Sequence, residues 1–197
     1  MTPALRRVCV FCASSPGVRA EYRDLAAELG ATLAESAVEV VYGGGHVGLM
    51  GVVADAALAA GGRVIGVIPR GLFAREIAHT EVTELHEVDS MHERKRLMYD
   101  LSDAFVALPG AYGTLDELAE VTTWAQLGLH RKPVALLDTG GFWDGLVVQL
   151  DRMVADGYLT PTRRTIVQRY DRVDALLEAL AVFEPPPPEG VIDADER

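Results

Sequence analysis

The chain is 197 residues long, 49% hydrophobic, and carries a formal charge of −11 at pH 7. That length builds one good core and is too short for two ordinary domains, while the acidic balance argues against non-specific nucleic-acid binding, which needs a basic face. No apolar run approaches a membrane span and nothing ahead of the first predicted strand reads as a signal peptide, so the expectation is a cytoplasmic protein with no nucleic-acid or membrane partner.

Residues 8–14 predict the first strand. Cys9 and Cys12 lie in it, and their three-residue spacing sends the two thiols to opposite faces of a strand. No second cysteine pair exists to complete a zinc site, so both are read as buried structural residues. A helix is predicted over 21–35 and a short strand over 39–42. The loop Gly43-Gly44-Gly45-His46-Val47-Gly48-Leu49-Met50-Gly51 then leads into an alanine-rich helix over 49–60. A strand over 63–68 follows. Residues 69–87 are less regular and are expected to wrap over the sheet edge near the cleft. Ser90-Met91-His92-Glu93 has capping-box spacing and opens a helix to residue 101. Later come strands over 104–108, 134–138 and 165–167, with helices over 114–127, 142–155 and 173–183. The tail, 184–197, contains four successive prolines and ends acidic, so disorder is expected. Strands alternating with helices mean right-handed crossovers, and the fold expected for residues 1–183 is a single Rossmann-like α/β domain. Its sheet should be mostly parallel, with helices on both faces.

Candidate chemistry gathers in two places. Pro109-Gly110-Ala111-Tyr112-Gly113-Thr114-Leu115-Asp116-Glu117 sits where a strand gives way to a helix, the junction at which open α/β sheets bind ligands. Glycines there let a phosphate approach backbone N–H groups, and the loop over 43–51 could face it across one cleft. Thr114 to Glu117 also has capping-box spacing, so these residues alone leave Glu117 as either a helix cap or a working carboxylate. Arg94 falls in an apolar stripe with Met91, Met98 and Leu101, and has no acidic residue three or four positions away. It must reach a buried carboxylate, a cavity or an anionic ligand, because an unpaired buried guanidinium costs several kcal/mol. Lys95 could reach the same ligand from the edge of the stripe, whereas Arg96, flanked by Glu93 and Asp100, reads as a solvated ion pair. His46, His79, His86, His92 and His130 are scattered without ligand spacing, so no metal is expected.

These segments together resemble the LOG (Lonely Guy) family, the cytokinin riboside 5′-monophosphate phosphoribohydrolases, often mislabelled lysine decarboxylases. Residues 109–117 are similar to the family's PGGxGTxxE signature, Met91-His92-Glu93-Arg94-Lys95 to its second motif, and 43–51 to its first glycine loop. The similarity runs from about Val8 to Phe183 and includes Arg75-Glu76-Ile77 and Thr123-Trp124-Ala125-Gln126-Leu127-Gly128. It implies hydrolysis of the N-glycosidic bond of an adenosine-type nucleoside 5′-monophosphate, without a cofactor, in a homodimer with the site near the interface. Carried over by position, Arg94 and Glu117 would be catalytic. Glu76 and Lys95 would bind the nucleotide, as would the loop of Gly110, Ala111, Tyr112, Gly113, Thr114, Leu115 and Asp116, with Gly44 and Gly45 lining the site. The family's second glycine is Ala111 here. If that position needs a positive φ, alanine strains the loop by roughly 1–2 kcal/mol; if the glycine only gave clearance, the methyl crowds the ligand.

Other readings fit less well. A pyridoxal enzyme needs a Schiff-base lysine, and the chain offers only Lys95 and Lys132. A dehydrogenase would carry its glycine fingerprint after the first strand, not the second. A nucleotide or molybdenum-cofactor carrier on the same fold needs phosphate loops but has no need of Arg94 and Glu117 together. A homodimer is also expected from the apolar residues Leu118, Val121, Trp124 and Ala125 on the 114–127 helix.

Overall fold

A computed structural model of the protein describes residues 5–71 and 78–186. Seven strands form one parallel sheet: β1 (Arg7–Phe11), β2 (Glu39–Tyr42), β3 (Val64–Pro69), β4 (Glu84–Val88), β5 (Ala104–Ala107), β6 (Val134–Leu137) and β7 (Val167–Tyr170). Their order is β4-β3-β2-β1-β5-β6-β7, with every pairing parallel. The order reverses between β1 and β5, the switch point at which the loops above the sheet diverge and leave a crevice. The central strands read as near-continuous apolar runs because both faces are covered. Val8, Val40 and Val106 point into one core, while Cys9, Val41 and Phe105 point into the other. Cys12 belongs to the first core and Cys9 to the second, as the strand spacing predicts.

Helices α1 (Ala20–Glu35), α2 (Gly48–Ala59) and α7 (Val173–Ala181) cover the first face. Helices α3 (Met91–Leu101) and α4 (Tyr112–Gln126) cover the second, where Met98, Leu118 and Val121 are buried. Helix α5 (Asp144–Ala155) and the short α6 (Pro161–Arg164) complete the chain's helices among the described residues. Helix α1 buries Leu25, Ala26, Leu29, Gly30 and Leu33, one apolar stripe, against α2. Gly30 is required there, because a Cβ would stand 2.3 Å from the carbonyl oxygen of Val53.

Two expectations fail, both at sheet edges. Within 69–87, expected to be irregular, Glu84–Val88 is the edge strand β4, paired with β3. The strand expected over 165–167 instead begins at Val167 and continues through Gln168 and Arg169 to Tyr170. Edge strands carry charged and polar side chains that blunt open edges, and this removes the apolar pattern that marks a strand. Residues 187–197 of the predicted tail lie outside the described residues.

The amino ends of the strands are tied by ions. Glu39 accepts from Arg7 (2.7 Å) and Arg63 (3.0 Å), and Arg63 reaches Glu84 at 2.6 Å. The hydrogen bond from Arg7, aided by Arg63, holds the Glu39 carboxyl below its usual range.

Helix α1 ends in a Schellman-type turn, with Val38 N bonded to Leu33 O at 2.9 Å. The residue in the left-handed region is Ala37, exposed, with φ 56°. Its Cβ costs about 1–2 kcal/mol there, and glycine returns about 0.5–1 kcal/mol of that in backbone entropy. Ala37→Gly is therefore expected to raise Tm by a few degrees in thermal unfolding; a lowered Tm would contradict this.

Candidate active site

Above the switch point lies a cavity of about 90 Å³. The segment after β1 supplies Cys12 and Ser14, the end of β2 supplies Gly43, and α3 supplies Arg94. The fourth wall is the start of α4, with Ala111, Gly113, Thr114 and Glu117. Backbone bonds knit these segments together. Ala13 N donates to Pro109 O at 3.2 Å, and Ala13 O accepts from Leu49 N (3.0 Å) and Met50 N (3.3 Å). Gly48, at φ 69°, permits that contact, since a Cβ would lie 2.3 Å from Ser14 and Ser15 backbone atoms.

These bonds distinguish the two glycine loops. The second and third amides of α2, Leu49 and Met50, are occupied by Ala13 O, so that helix start is a structural joint. The first-turn amides of α4 have no acceptor within their own helix, and Gly113 and Thr114 line the cavity. An anion in this cleft therefore meets the amino end of α4, with its favourable dipole, and not that of α2.

Arg94 is 6% exposed and Glu117 9%. The Arg94 Nε donates to Val67 O at 3.1 Å and Nη2 to Gly43 O at 3.0 Å, so carbonyls from β3 and from the end of β2 hold the fork. Its Nη1 lies 3.9 Å from Glu117 Oε1. That separation is ion-pair range and too long for a hydrogen bond, so the two charges face each other across the cavity wall. Gly43, not singled out by the sequence reading, is what makes this possible: a Cβ there would stand 1.8 Å from Arg94 Nη2. Helix α3 is launched by the expected cap, Ser90 Oγ accepting from Glu93 N at 3.1 Å. The Glu93 carboxylate bonds back to Asp89 N at 2.9 Å.

Glu117 is not a helix cap. Helix α4 begins at Tyr112 with Ala111 as its N-cap, which places Thr114 in the first turn and Glu117 in the second. Thr114 is buried and packs on Gly110, where a Cβ would meet Thr114 Oγ1 at 2.0 Å. Ala111 has φ −104°, ordinary extended backbone, so the strain alternative does not apply. What remains is the methyl group, which lines the cavity.

Other predicted residues fall around this centre. Lys95 Nζ bonds to Asp116 and Glu120, both at 3.1 Å, and so clamps α3 to α4. Burial works against its charge, but the two carboxylates prevail and hold its pKa above the usual lysine value. Tyr112 (89%) and Leu115 (39%) point outward, and Asp116 is exposed. Gly44 and Gly45 are buried beside the cleft, where Gly44 O accepts from His79 N at 2.9 Å and Gly45 pairs with Ala78. Glu76 lies outside the described residues. The expected Arg96–Asp100 ion pair forms at 2.8 Å. Cys12 lines the cavity, but burial, reinforced by the Glu117 charge, raises its thiol pKa strongly, so it is no thiolate nucleophile.

The chain matches a family model described as "Possible lysine decarboxylase" over residues 50–180. It is 52% identical over 180 residues to a probable cytokinin riboside 5′-monophosphate phosphoribohydrolase of Oryza sativa subsp. japonica, covering 91% of this chain and 79% of that protein. It is 46% identical over 180 residues to a cytokinin riboside 5′-monophosphate phosphoribohydrolase of Arabidopsis thaliana, covering 91% and 83%. Among solved structures, the molybdenum cofactor binding protein of Rippkaea orientalis aligns with a TM-score of 0.68 over 90% of this chain and 96% of that one. At 19% identity that likeness is one of fold alone.

Two substitutions test this geometry. Gly43→Ala should push the guanidinium off its carbonyls and lower kcat by about 10²-fold, the usual effect of an ångström-scale misplacement, while the chain still folds. Unchanged kcat would contradict the role given to that contact. Ala111→Gly should tighten binding of a nucleoside monophosphate or leave it unchanged, since glycine is also the better N-cap. Weaker binding, measured by calorimetry, would contradict the reading of that methyl as a crowding group.

Proposed function

The chain belongs to the family of cytokinin riboside 5′-monophosphate phosphoribohydrolases, and on that premise we propose that it hydrolyses the N-glycosidic bond of adenosine-type nucleoside 5′-monophosphates. The products are the free base and ribose 5-phosphate, and the substrates are N6-prenylated ribotides, AMP, or both. The observation that carries this reading is the buried Arg94–Glu117 pair, facing a cavity beside the open first turn of α4.

Each part has a task in the reaction. The 5′-phosphate docks on the amides of Gly113 and Thr114, so binding energy remote from the bond being broken positions the sugar. Glycosidic cleavage passes through an oxocarbenium-like state. The Glu117 carboxylate is buried in the cavity wall, where a negative charge stabilises that cation well, and it can orient the attacking water and take its proton. Arg94, fixed by two carbonyls, sets a positive charge 3.9 Å from Glu117 Oε1 and offers Nη1 to the ribose or phosphate oxygens. Lys95 acts on the same helix from outside, through Asp116 and Glu120 on either side of Glu117. A carrier on this fold would need the first turn of α4 but would have no use for this buried ion pair.

We also propose a homodimer in the cytoplasm. Leu118 and Val121 are buried in the chain's own core, so the apolar surface that needs a partner is carried by Tyr112 (89% exposed), Leu127 (63%) and Leu129 (65%) at the two ends of α4. Among the described residues no helix is long and apolar enough to cross a membrane.

Assaying free base and ribose 5-phosphate from AMP, prenylated AMP and adenosine tests the reaction. The monophosphates should exceed the nucleoside in kcat/KM by about 10²–10⁴-fold, the worth of roughly two hydrogen bonds to a charged phosphate. Equal values for AMP and adenosine would remove the phosphate anchor from the account. Light scattering at micromolar concentration should give twice the chain mass of 21.2 kDa, and a monomer would contradict the proposed assembly.

A further inference from the structure

We propose that His46, Asp55 and His79 bind a first-row divalent transition-metal ion at a site distinct from the Arg94–Glu117 cleft. The proposal does not rest on the nucleotide reading. One donor atom from each residue lies within 4.8 Å of the other two. The three come from separate segments: the loop after β2, helix α2, and the residues that pair with Gly44 and Gly45. The backbone bond from His79 N to Gly44 O, 2.9 Å, is what brings the second imidazole beside the first. Sequence spacing gives no hint of this, because the ligand set exists only once the loop and the Ala78–His79 segment pair.

The His79 donor is the nitrogen that faces Asp55. An ion there takes the place of the proton between Asp55 Oδ1 and His79 Nε2, 2.8 Å apart, at a ring that is 2% exposed. The His46 ring stands edge-on to it, with centroids 4.5 Å apart and an interplanar angle of 86°. His46 and Asp55 are exposed, so an ion reaches the group directly from solvent. Two imidazoles and one carboxylate suit Zn²⁺, Co²⁺ or Ni²⁺, whereas Ca²⁺ and Mg²⁺ favour all-oxygen sets. An ion held there ties the glycine loop to α2 and to His79. The same loop contains Gly43, whose carbonyl holds Arg94.

The test is a Co²⁺ titration of the untagged, metal-stripped full chain, read by visible absorption, with Zn²⁺ competition and thermal unfolding. One equivalent of Co²⁺ should give a ligand-field spectrum that Zn²⁺ abolishes, and Zn²⁺ should raise Tm. His46→Ala, at an exposed position, should weaken Co²⁺ binding at least about tenfold without lowering the Tm of the metal-free protein, and Asp55→Asn should weaken it similarly. His86→Ala, beside Glu84 on β4, should leave binding unchanged. No spectrum at millimolar Co²⁺, or wild-type affinity retained by either His46→Ala or Asp55→Asn, would overturn the proposal.

Discussion

A guanidinium as buried as that of Arg94 must find acceptors, because an uncompensated charge in this position would cost several kcal/mol and shift the fold around it. The sheet supplies them from its own backbone. The β2–β3 pairing ends at Tyr42 and Gly66, and the next residue of each strand, Gly43 after β2 and Val67 within β3, offers the carbonyl that receives Nη2 or Nε. The rest of the site follows from that anchorage. Position 43 must lack a Cβ, α3 must cross above β2 and β3, and the remaining Nη1 is left aimed at Glu117.

The two glycine loops, so alike in sequence, do different work. The loop after β2 is consumed in structure: its helix amides bond to Ala13 O, Gly48 accommodates the chain after β1, and Gly44 and Gly45 pair with residues 78–79. The loop after β5 stays open at its first turn, with Gly110 clearing space for Thr114. One loop braces the cleft and the other presents its amides to it. Both are tied through Ala13, which bonds to Pro109 on one side and to Leu49 and Met50 on the other.

Much of this was legible in the sequence where burial and periodicity agree. The central strands are apolar on both faces, the α3 stripe betrays Arg94 as a cation out of place, and the fold class follows from alternation alone. The edge strands were not legible, since Glu84 and Glu87 on β4 and Gln168 and Arg169 on β7 mask the strand pattern. Nor was the meaning of Thr114 to Glu117. A cap and a working carboxylate share the same spacing, and only the true helix start at Tyr112 removes the cap reading. The β1 segment escaped for another reason: strand order decides which loops flank the switch point, and order is a long-range property that local pattern does not carry. The same holds for His46 and His79, which meet only through a backbone pairing between distant segments.

The proposed reaction turns on Glu117, in the second turn of α4 and 3.9 Å from Arg94. Glu117→Gln preserves shape and hydrogen-bonding capacity but removes both the negative charge and the ability to take a proton from water. The measurement is kcat on a nucleoside 5′-monophosphate, taken with the affinity for a non-hydrolysable analogue. The account predicts a fall in kcat of roughly 10²–10⁴-fold, the range of a general acid–base group, with analogue binding retained. Near-full activity in the variant would contradict it and return Glu117 to a structural role.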